Sequence, residues 1–169
     1  AGPGFAAGVG AGPLVTEAAV AKAAAPVADA VGLGAEPLVG GSRLTDAPFD
    51  RGHFYAPTLL SGVGDGMKIY REETFGPVAP VISYDDVDRV LDLANDTNYG
   101  LAAYVYTKDF STAIRAFEGL RFGIVGVNDV NPTAASAPFG GMQDSGIGRE
   151  GSHDGIAEYL ETKLGGFAL

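Results

Sequence analysis

Residues 98–128 read NYGLAAYVYTKDFSTAIRAFEGLRFGIVGVN, and this stretch decides the fold. Two apolar segments, 98–107 and 122–128, have the composition of buried strands and flank a helical pattern. Asp109 is a typical N-cap for that helix. The apolar residues after it recur at helical spacing and predict one buried side, formed by Phe110, Ala113, Ile114, Phe117 and Leu120. The order strand, helix, strand predicts a βαβ unit with parallel strands.

The same alternation extends toward the amino terminus. Residues 78–86 are predicted to form a strand that leads into a helix capped by Asp85 or Asp86. The apolar face of that helix is formed by Val87, Val90, Leu91 and Ala94. We therefore predict an α/β fold with a partial, largely parallel sheet, flanking helices and right-handed crossovers. Because functional groups in such sheets lie beyond the carboxyl ends of strands, the loop 129–145 is a candidate site.

The first 77 residues have a less regular pattern. Residues 1–13 are rich in Gly, Ala and Pro and predict an extended lead-in. Residues 14–31 predict a helix, which Pro26 is expected to kink or break because proline lacks the amide hydrogen that a helix interior needs. Short strands are predicted at 36–41 and 53–63.

The carboxy-terminal residues alternate in polarity from Tyr159 onward. This pattern predicts a strand with one half-buried face. A terminal strand can pair with a neighbouring subunit or with its own chain, and the alternation alone does not decide between them.

Composition argues against several classes of function. The 169 residues carry a net charge of −10, which argues against nucleic acid and against anionic membranes as partners. No apolar run is long enough to span a bilayer, and the start of the chain does not have the pattern of a signal peptide, so we expect a cytoplasmic location.

The residues that usually carry metal or thiol chemistry are scarce. There is no cysteine, hence no disulfide, thiolate metal site or thiol nucleophile within these residues. His53 and His153 are far apart in sequence, and we predict no metal site. The glycine-rich segment 140–151 has half of a dinucleotide fingerprint but lacks the full pattern after a strand, so a close-packed turn is the preferred interpretation.

Several motifs, in order, resemble the carboxy-terminal part of the aldehyde dehydrogenase superfamily, and within it are most similar to succinate-semialdehyde dehydrogenases. The motifs are REETFGPV (71–78), NDTNYGLAAYVYTKD (95–109), GIVGVND (123–129), APFGGMQDSGIGREGS (137–152) and GIAEYLETK (155–163). The resemblance implies an incomplete catalytic α/β domain at 1–155, with 1–13 as lead-in, and a carboxy-terminal oligomerisation tail at 156–169. In complete members the NAD(P) domain, the general-base glutamate and the catalytic cysteine come before the region that resembles Ala1 onward.

The resemblance also implies roles for four residues. Glu73 matches the glutamate that accepts hydrogen bonds from the nicotinamide ribose, and Phe75 matches the phenylalanine beside the nicotinamide. Thr133 matches a serine that helps to bind the distal carboxylate of succinic semialdehyde, and Phe139 borders the pocket or packs in the core. Glu72 has no matching role and is expected to be solvated or to form a salt bridge. Gln143 replaces the usual lysine of this motif.

We therefore expect a carboxy-terminal portion of an NAD(P)-dependent aldehyde dehydrogenase that holds no catalytic residue and is inactive and free of cofactor by itself. The complete enzyme would use NAD or NADP, and the residues present do not decide which. Self-association, or pairing with aldehyde dehydrogenase subunits, is expected through 157–166. The alternative is a non-enzymatic oligomerisation or interaction module derived from the same fold.

Overall fold

The computed structural model describes residues 1–168, which divide into two compact units. The first unit comprises residues 1–83 and the second starts at Tyr84. Within residues 1–168, no helix is both long enough and apolar enough to cross a bilayer.

The amino-terminal unit contains two helices and five short strands. In chain order they are α1 (Glu17–Gly32), β1 (Glu36–Val39), β2 (Arg43–Leu44), β3 (Phe54–Tyr55), β4 (Thr58–Ser61), α2 (Lys68–Arg71) and β5 (Val78–Pro80). Strand β4 lies between β1, to which it is antiparallel, and β5, to which it is parallel. Strands β2 and β3 form a separate antiparallel pair.

Helix α1 provides one wall of the core of this unit. Thr16 caps the helix by accepting a hydrogen bond from the amide of Ala19. Val20, Ala23 and Val27 are buried in the same cluster as Leu60 of β4. The helix continues through Pro26, which is itself buried, so of the two predicted outcomes, a kink or a break, the break does not occur. Burial of the apolar proline ring offsets part of the cost of the missing backbone hydrogen bond.

The carboxy-terminal unit contains three helices and four strands. They are α3 (Val87–Asn95), β6 (Tyr99–Gly100), β7 (Ala102–Val105), α4 (Phe110–Gly119), β8 (Ile124–Val127), β9 (Met142–Gln143) and α5 (Ser152–Ala157). Strands β7 and β8 are parallel and joined through α4, which confirms the predicted βαβ unit. Strands β6 and β9 pair antiparallel.

The helix caps are those that the sequence predicts. Asp86 accepts a hydrogen bond from the amide of Arg89 at 2.9 Å, and Asp109 accepts one from Thr112 at 2.7 Å. Asp109 accepts hydrogen bonds from the side chain and the backbone of Thr112, and these hold its pKa below the usual range. The side-chain hydrogen bond has the larger effect. The predicted buried side of α4 is only partly buried, because Phe110, Ile114 and Phe117 remain exposed in this unit.

Two parts of the predicted architecture need correction or remain open. The sheets are small and mixed, so the expectation of a largely parallel sheet has to be corrected. Parallel pairing occurs where a helix connects the strands, whereas β1 meets β4 antiparallel with the β2–β3 pair between them in the chain. Residues 160–168 form no strand in this single chain. Pairing with another subunit, and the division at 155/156, stay predictions.

Candidate functional site

The two neighbouring carboxylates lie in the loop 72–77 between α2 and β5. Helix α2 is fixed to the core by Ile69, which is buried, while the guanidinium of Arg71 lies 4.7 Å from the centre of the Tyr70 ring. The amide of Glu72 donates to the carbonyl of Lys68 at 2.8 Å, so the loop begins directly from the last turn of the helix.

The carboxylate of Glu73 is solvent-exposed. Within residues 1–168 it makes no hydrogen bond or ion pair, and neither does the side chain of Glu72. The side chain of Glu72 is therefore solvated, which is one of the two possibilities expected for it; the other was a salt bridge. An ionised carboxylate presents two acceptor oxygens, and both oxygens of Glu73 are available to a ligand with paired hydroxyl donors.

Phe75 has an unusual backbone conformation. Its φ is +46°, in the left-handed region that bulky side chains rarely adopt, and 84% of its surface is exposed. Burial in the core therefore does not explain this geometry. Backbone strain of this kind is frequent where a side chain is held in place for a ligand.

The end of the loop is attached to the sheet and to α1. The carbonyl of Pro77 accepts a hydrogen bond from the amide of Thr58 at 2.8 Å. A Cβ added to Gly76 would lie 3.4 Å from the Cβ of Ala23, so this glycine packs directly on α1. The loop is thus held at both ends, while Glu73 and Phe75 project from its middle.

In the carboxy-terminal unit, Asn128 directly follows β8 and precedes the candidate loop 129–145. Its φ is +55°, which asparagine tolerates better than most residues. Its side-chain amide pairs with the backbone of Thr107: Oδ1 accepts from the amide at 3.0 Å and Nδ2 donates to the carbonyl at 2.9 Å. The side chain thereby extends the β7–β8 pairing by one step and fixes the origin of the loop.

Thr133 lies in the part of the loop that side-chain hydrogen bonds organise. The amide of Asn131 donates to Asp129 at 2.9 Å, and the hydroxyl of Thr133 donates to Oδ1 of Asn131 at 2.7 Å. The hydroxyl hydrogen of Thr133 is therefore already used within the loop. Donating to a substrate would require this hydroxyl to rotate away from Asn131.

Phe139 forms a two-bond bridge with Glu150, in which each amide donates to the other residue's carbonyl at 2.7–2.8 Å. The side chain keeps 38% of its surface exposed, so it is not a core residue within its unit. Thr133 and Phe139 line the same cavity of about 180 Å³. The other lining residues are uncharged: Gly123, Ile124, Val125, Pro132, Ala134, Ala137 and Pro138.

The glycine pair 140–141 is required by close packing. A Cβ on Gly140 would lie 2.4 Å from the carbonyl oxygen of Gly148, and one on Gly141 would lie 2.5 Å from the Cβ of Ser145. The carbonyl of Gly140 in turn lies 1.8 Å from the position of a Cβ on Gly123. The predicted close-packed turn fits this segment, and sequence reasoning had not singled out Gly123.

The structure therefore brings the predicted site residues together in pairs. Glu73 and Phe75 share one loop of the amino-terminal unit, and Thr133 and Phe139 share one cavity of the carboxy-terminal unit. No group of three His, Cys, Asp or Glu side chains within the described residues is arranged to hold a metal ion. The roles of the four residues remain predictions.

Comparison with known proteins finds one matching family model and several relatives. The model of the aldehyde dehydrogenase family matches residues 1–164. A non-phosphorylating aspartate-semialdehyde dehydrogenase from Halomonas elongata is 48% identical over 162 residues, which cover 96% of this chain and 32% of that protein. The succinate-semialdehyde dehydrogenase [NADP(+)] GabD of Escherichia coli is 46% identical over 162 residues, covering 96% of this chain and 33% of that protein.

A solved structure shows the same agreement in three dimensions. The crystal structure of betaine aldehyde dehydrogenase from Staphylococcus aureus in complex with NAD+ matches with a TM-score of 0.90 at 38% identity. The match covers 96% of this chain and 32% of that one. The chain thus spans about a third of the length of the relatives it matches.

Proposed function

Because the chain belongs to the aldehyde dehydrogenase family, we propose that it supplies the nicotinamide contact and part of the aldehyde pocket of an NAD(P)-dependent, succinate-semialdehyde dehydrogenase-like enzyme. Such an enzyme oxidises an aldehyde to a carboxylic acid. The observation that carries this proposal is the loop 72–77, in which an unpaired carboxylate stands two residues from an exposed, strained phenylalanine.

Glu73 is suited to a ribose. A ribose diol offers two O–H donors, and the ionised carboxylate offers two acceptors, so the hydrogen bonds are charge-assisted. The carboxylate needs no rearrangement to accept them, because none of its described neighbours uses its oxygens. The dinucleotide, when bound, supplies the hydride acceptor. Glu73 contributes by holding the attached ring in one orientation.

Phe75 contributes a flat apolar surface beside that position. Its exposed ring can cover one face of a nicotinamide, and its strained backbone limits the directions in which the ring can point. A small displacement of the reacting ring lowers the reaction rate strongly. The ribose contact and the aromatic side chain both serve to prevent such a displacement.

Thr133 and Phe139 are proposed to border the aldehyde pocket. Their shared cavity has no charged lining residue, so the carboxylate of an acid semialdehyde needs a cation from outside this cavity. Thr133 can donate to that carboxylate only after its hydroxyl leaves Asn131. The acid semialdehyde is therefore a proposal about the substrate class, supported by the relatives and by the hydroxyl at position 133.

Covalent aldehyde chemistry in this family requires a thiol, and these 169 residues contain no cysteine. We expect the chain alone to bind no dinucleotide and to reduce neither NAD+ nor NADP+ in the presence of succinic semialdehyde. The measurement is the absorbance of the reduced dinucleotide with material free of host dehydrogenases. Sustained turnover that follows the purified chain through a second chromatographic step would contradict the proposal that this chain alone cannot oxidise an aldehyde.

The tail 157–166 supports a second role, in association with itself or with aldehyde dehydrogenase subunits. Leu164 is 97% exposed, and Tyr159 and Leu160 are also exposed, so residues 1–168 leave these apolar side chains uncovered. We expect size-exclusion chromatography with light scattering to show a dimer or larger species. Leu160→Ser together with Leu164→Ser should shift it toward the monomer, whereas a monomeric parent chain would refute this role.

A further inference from the structure

Helix α2, which leads into the loop 72–77, is too short to be stable by itself. It has four residues, and its N-cap residue, Met67, makes no hydrogen bond through its side chain to the first turn. Fixing the first turn of a helix costs more conformational entropy than its hydrogen bonds return. Other contacts must therefore hold α2 in place: Met67 and Ile69 are buried in the core, and the first amide of the helix still needs an acceptor.

Asp29 of α1 supplies that acceptor. Its Oδ2 accepts the hydrogen bond of the Lys68 amide at 2.9 Å, from a position 39 residues earlier in the chain. Asp29 is half-buried, and its helix is fixed to the core by Val27 and Ala30 on either side of it. The carboxylate thus takes the place of an N-cap side chain, but it is carried by a different, longer helix.

The same helix meets the far end of the loop. Gly76 packs against Ala23 of α1, six residues before Asp29. Between these two contacts the chain passes through α2, then Glu73 and Phe75. Contacts with the single helix α1 therefore determine the positions of both proposed nicotinamide contacts.

We propose that Asp29 is a positioning residue, which fixes the start of α2 and thereby holds Glu73 and Phe75 in the geometry that the nicotinamide ribose requires. This inference rests on the proposed function of those two residues. The hydrogen bond needs only an acceptor oxygen, so asparagine at position 29 can replace aspartate and alanine cannot.

Amide hydrogen exchange followed by NMR on the 169-residue chain tests the proposal without any cofactor. Asp29→Ala should accelerate exchange of the amides of residues 68–72 by about five-fold or more, because the short helix opens locally. Asp29→Asn should stay within about two-fold of the parent chain. The matched control is Asp50→Ala, an exposed aspartate without a role in this contact. The backbone coupling of Phe75, which reports its φ, should change only in Asp29→Ala.

A variant at the hydrogen-bond donor, Lys68, distinguishes the loss of this contact from a general loss of folding. Lys68→Pro removes the amide hydrogen at the first helical position, where proline is tolerated, and the extended backbone of Met67 suits a residue before proline. In that background Asp29→Ala should add less than about two-fold to exchange at residues 69–72, because its partner is already gone.

Three results would overturn the proposal. They are unchanged exchange at 68–72 in Asp29→Ala, equal damage from Asp29→Asn, and uniform acceleration that also reaches Leu60 of β4. Because no ligand enters these measurements, a failure of nicotinamide binding at Glu73 would leave them unaffected, and the two failures are distinguishable.

Discussion

Replacing Glu73 with glutamine is expected to lower kcat/KM for dinucleotide reduction by roughly 10- to 100-fold, the range for losing a charge-assisted hydrogen bond. The assay uses a chimaera in which these 169 residues replace the segment of the Escherichia coli relative that they match, which is 33% of that protein. Glutamine keeps the size of the side chain but offers one acceptor oxygen and no charge. The loss should fall mainly on kcat, because the ribose contact orients the reacting ring.

The neighbouring residue provides a matched control. Glu72 has the same side chain, which is also exposed and makes no hydrogen bond or ion pair within residues 1–168, so Glu72→Gln should change kcat/KM by less than about two-fold. Equal losses in the two variants would show that charge near the loop matters, and not a specific contact. No loss in Glu73→Gln would remove the ribose role from this residue.

Replacing Leu60 with alanine is expected to destabilise the amino-terminal unit by about 2–5 kcal/mol, the range for deleting a buried leucine side chain. Leu60 is completely buried in the central strand β4, where it lies opposite Pro37 of β1 and Pro80 of β5. The deleted atoms leave a cavity between the sheet and α1. Urea unfolding followed by circular dichroism measures the loss, provided that the slope of the transition is unchanged.

Leu38→Ala is the control for that substitution. Leu38 lies on the adjacent strand β1 with 56% of its surface exposed, so its truncation should cost less than about 0.5 kcal/mol. If both variants lost the same stability, the cluster around Leu60 would not be the core of this unit. Because β4 also binds the carbonyl of Pro77 through Thr58, Leu60→Ala should loosen the end of the loop 72–77 as well.

The elements that the sequence predicted correctly depend on neighbours in the chain. Asp86 and Asp109 cap their helices through amides three residues later, and β7–α4–β8 follows from apolar segments that flank one helical pattern. These interactions require no knowledge of distant residues. Periodicity and capping are therefore sufficient to place α3 and α4.

Distant contacts explain what the sequence did not predict. The antiparallel pairing of β1 with β4 joins residues that are at least twenty positions apart, and no local pattern specifies it. Pro26 was expected to kink or break α1, because the sequence does not show that this residue is buried within a continuous helix. The predicted burial of α4 likewise assumed a covering layer that the described part of this unit does not provide.

The candidate site likewise contains residues that the sequence predicted and residues that it did not. Glu73 and Phe75 were found because an acidic pair precedes an aromatic residue and a Gly-Pro turn in a recognisable motif. Asp29 gives no such signal, since it is one aspartate on an alanine-rich helix, and its partner is 39 residues away. Gly123 was missed for a similar reason, because its need for a bare Cα comes from Gly140.

The most direct test of the central claim is dinucleotide reduction by the chimaera, compared with the Escherichia coli relative from which the matching segment has been removed. With succinic semialdehyde and NADP+, the chimaera should form reduced dinucleotide, and the relative without that segment should form none. A folded chimaera that is as inactive as the shortened relative would contradict the claim that this chain completes an aldehyde dehydrogenase site.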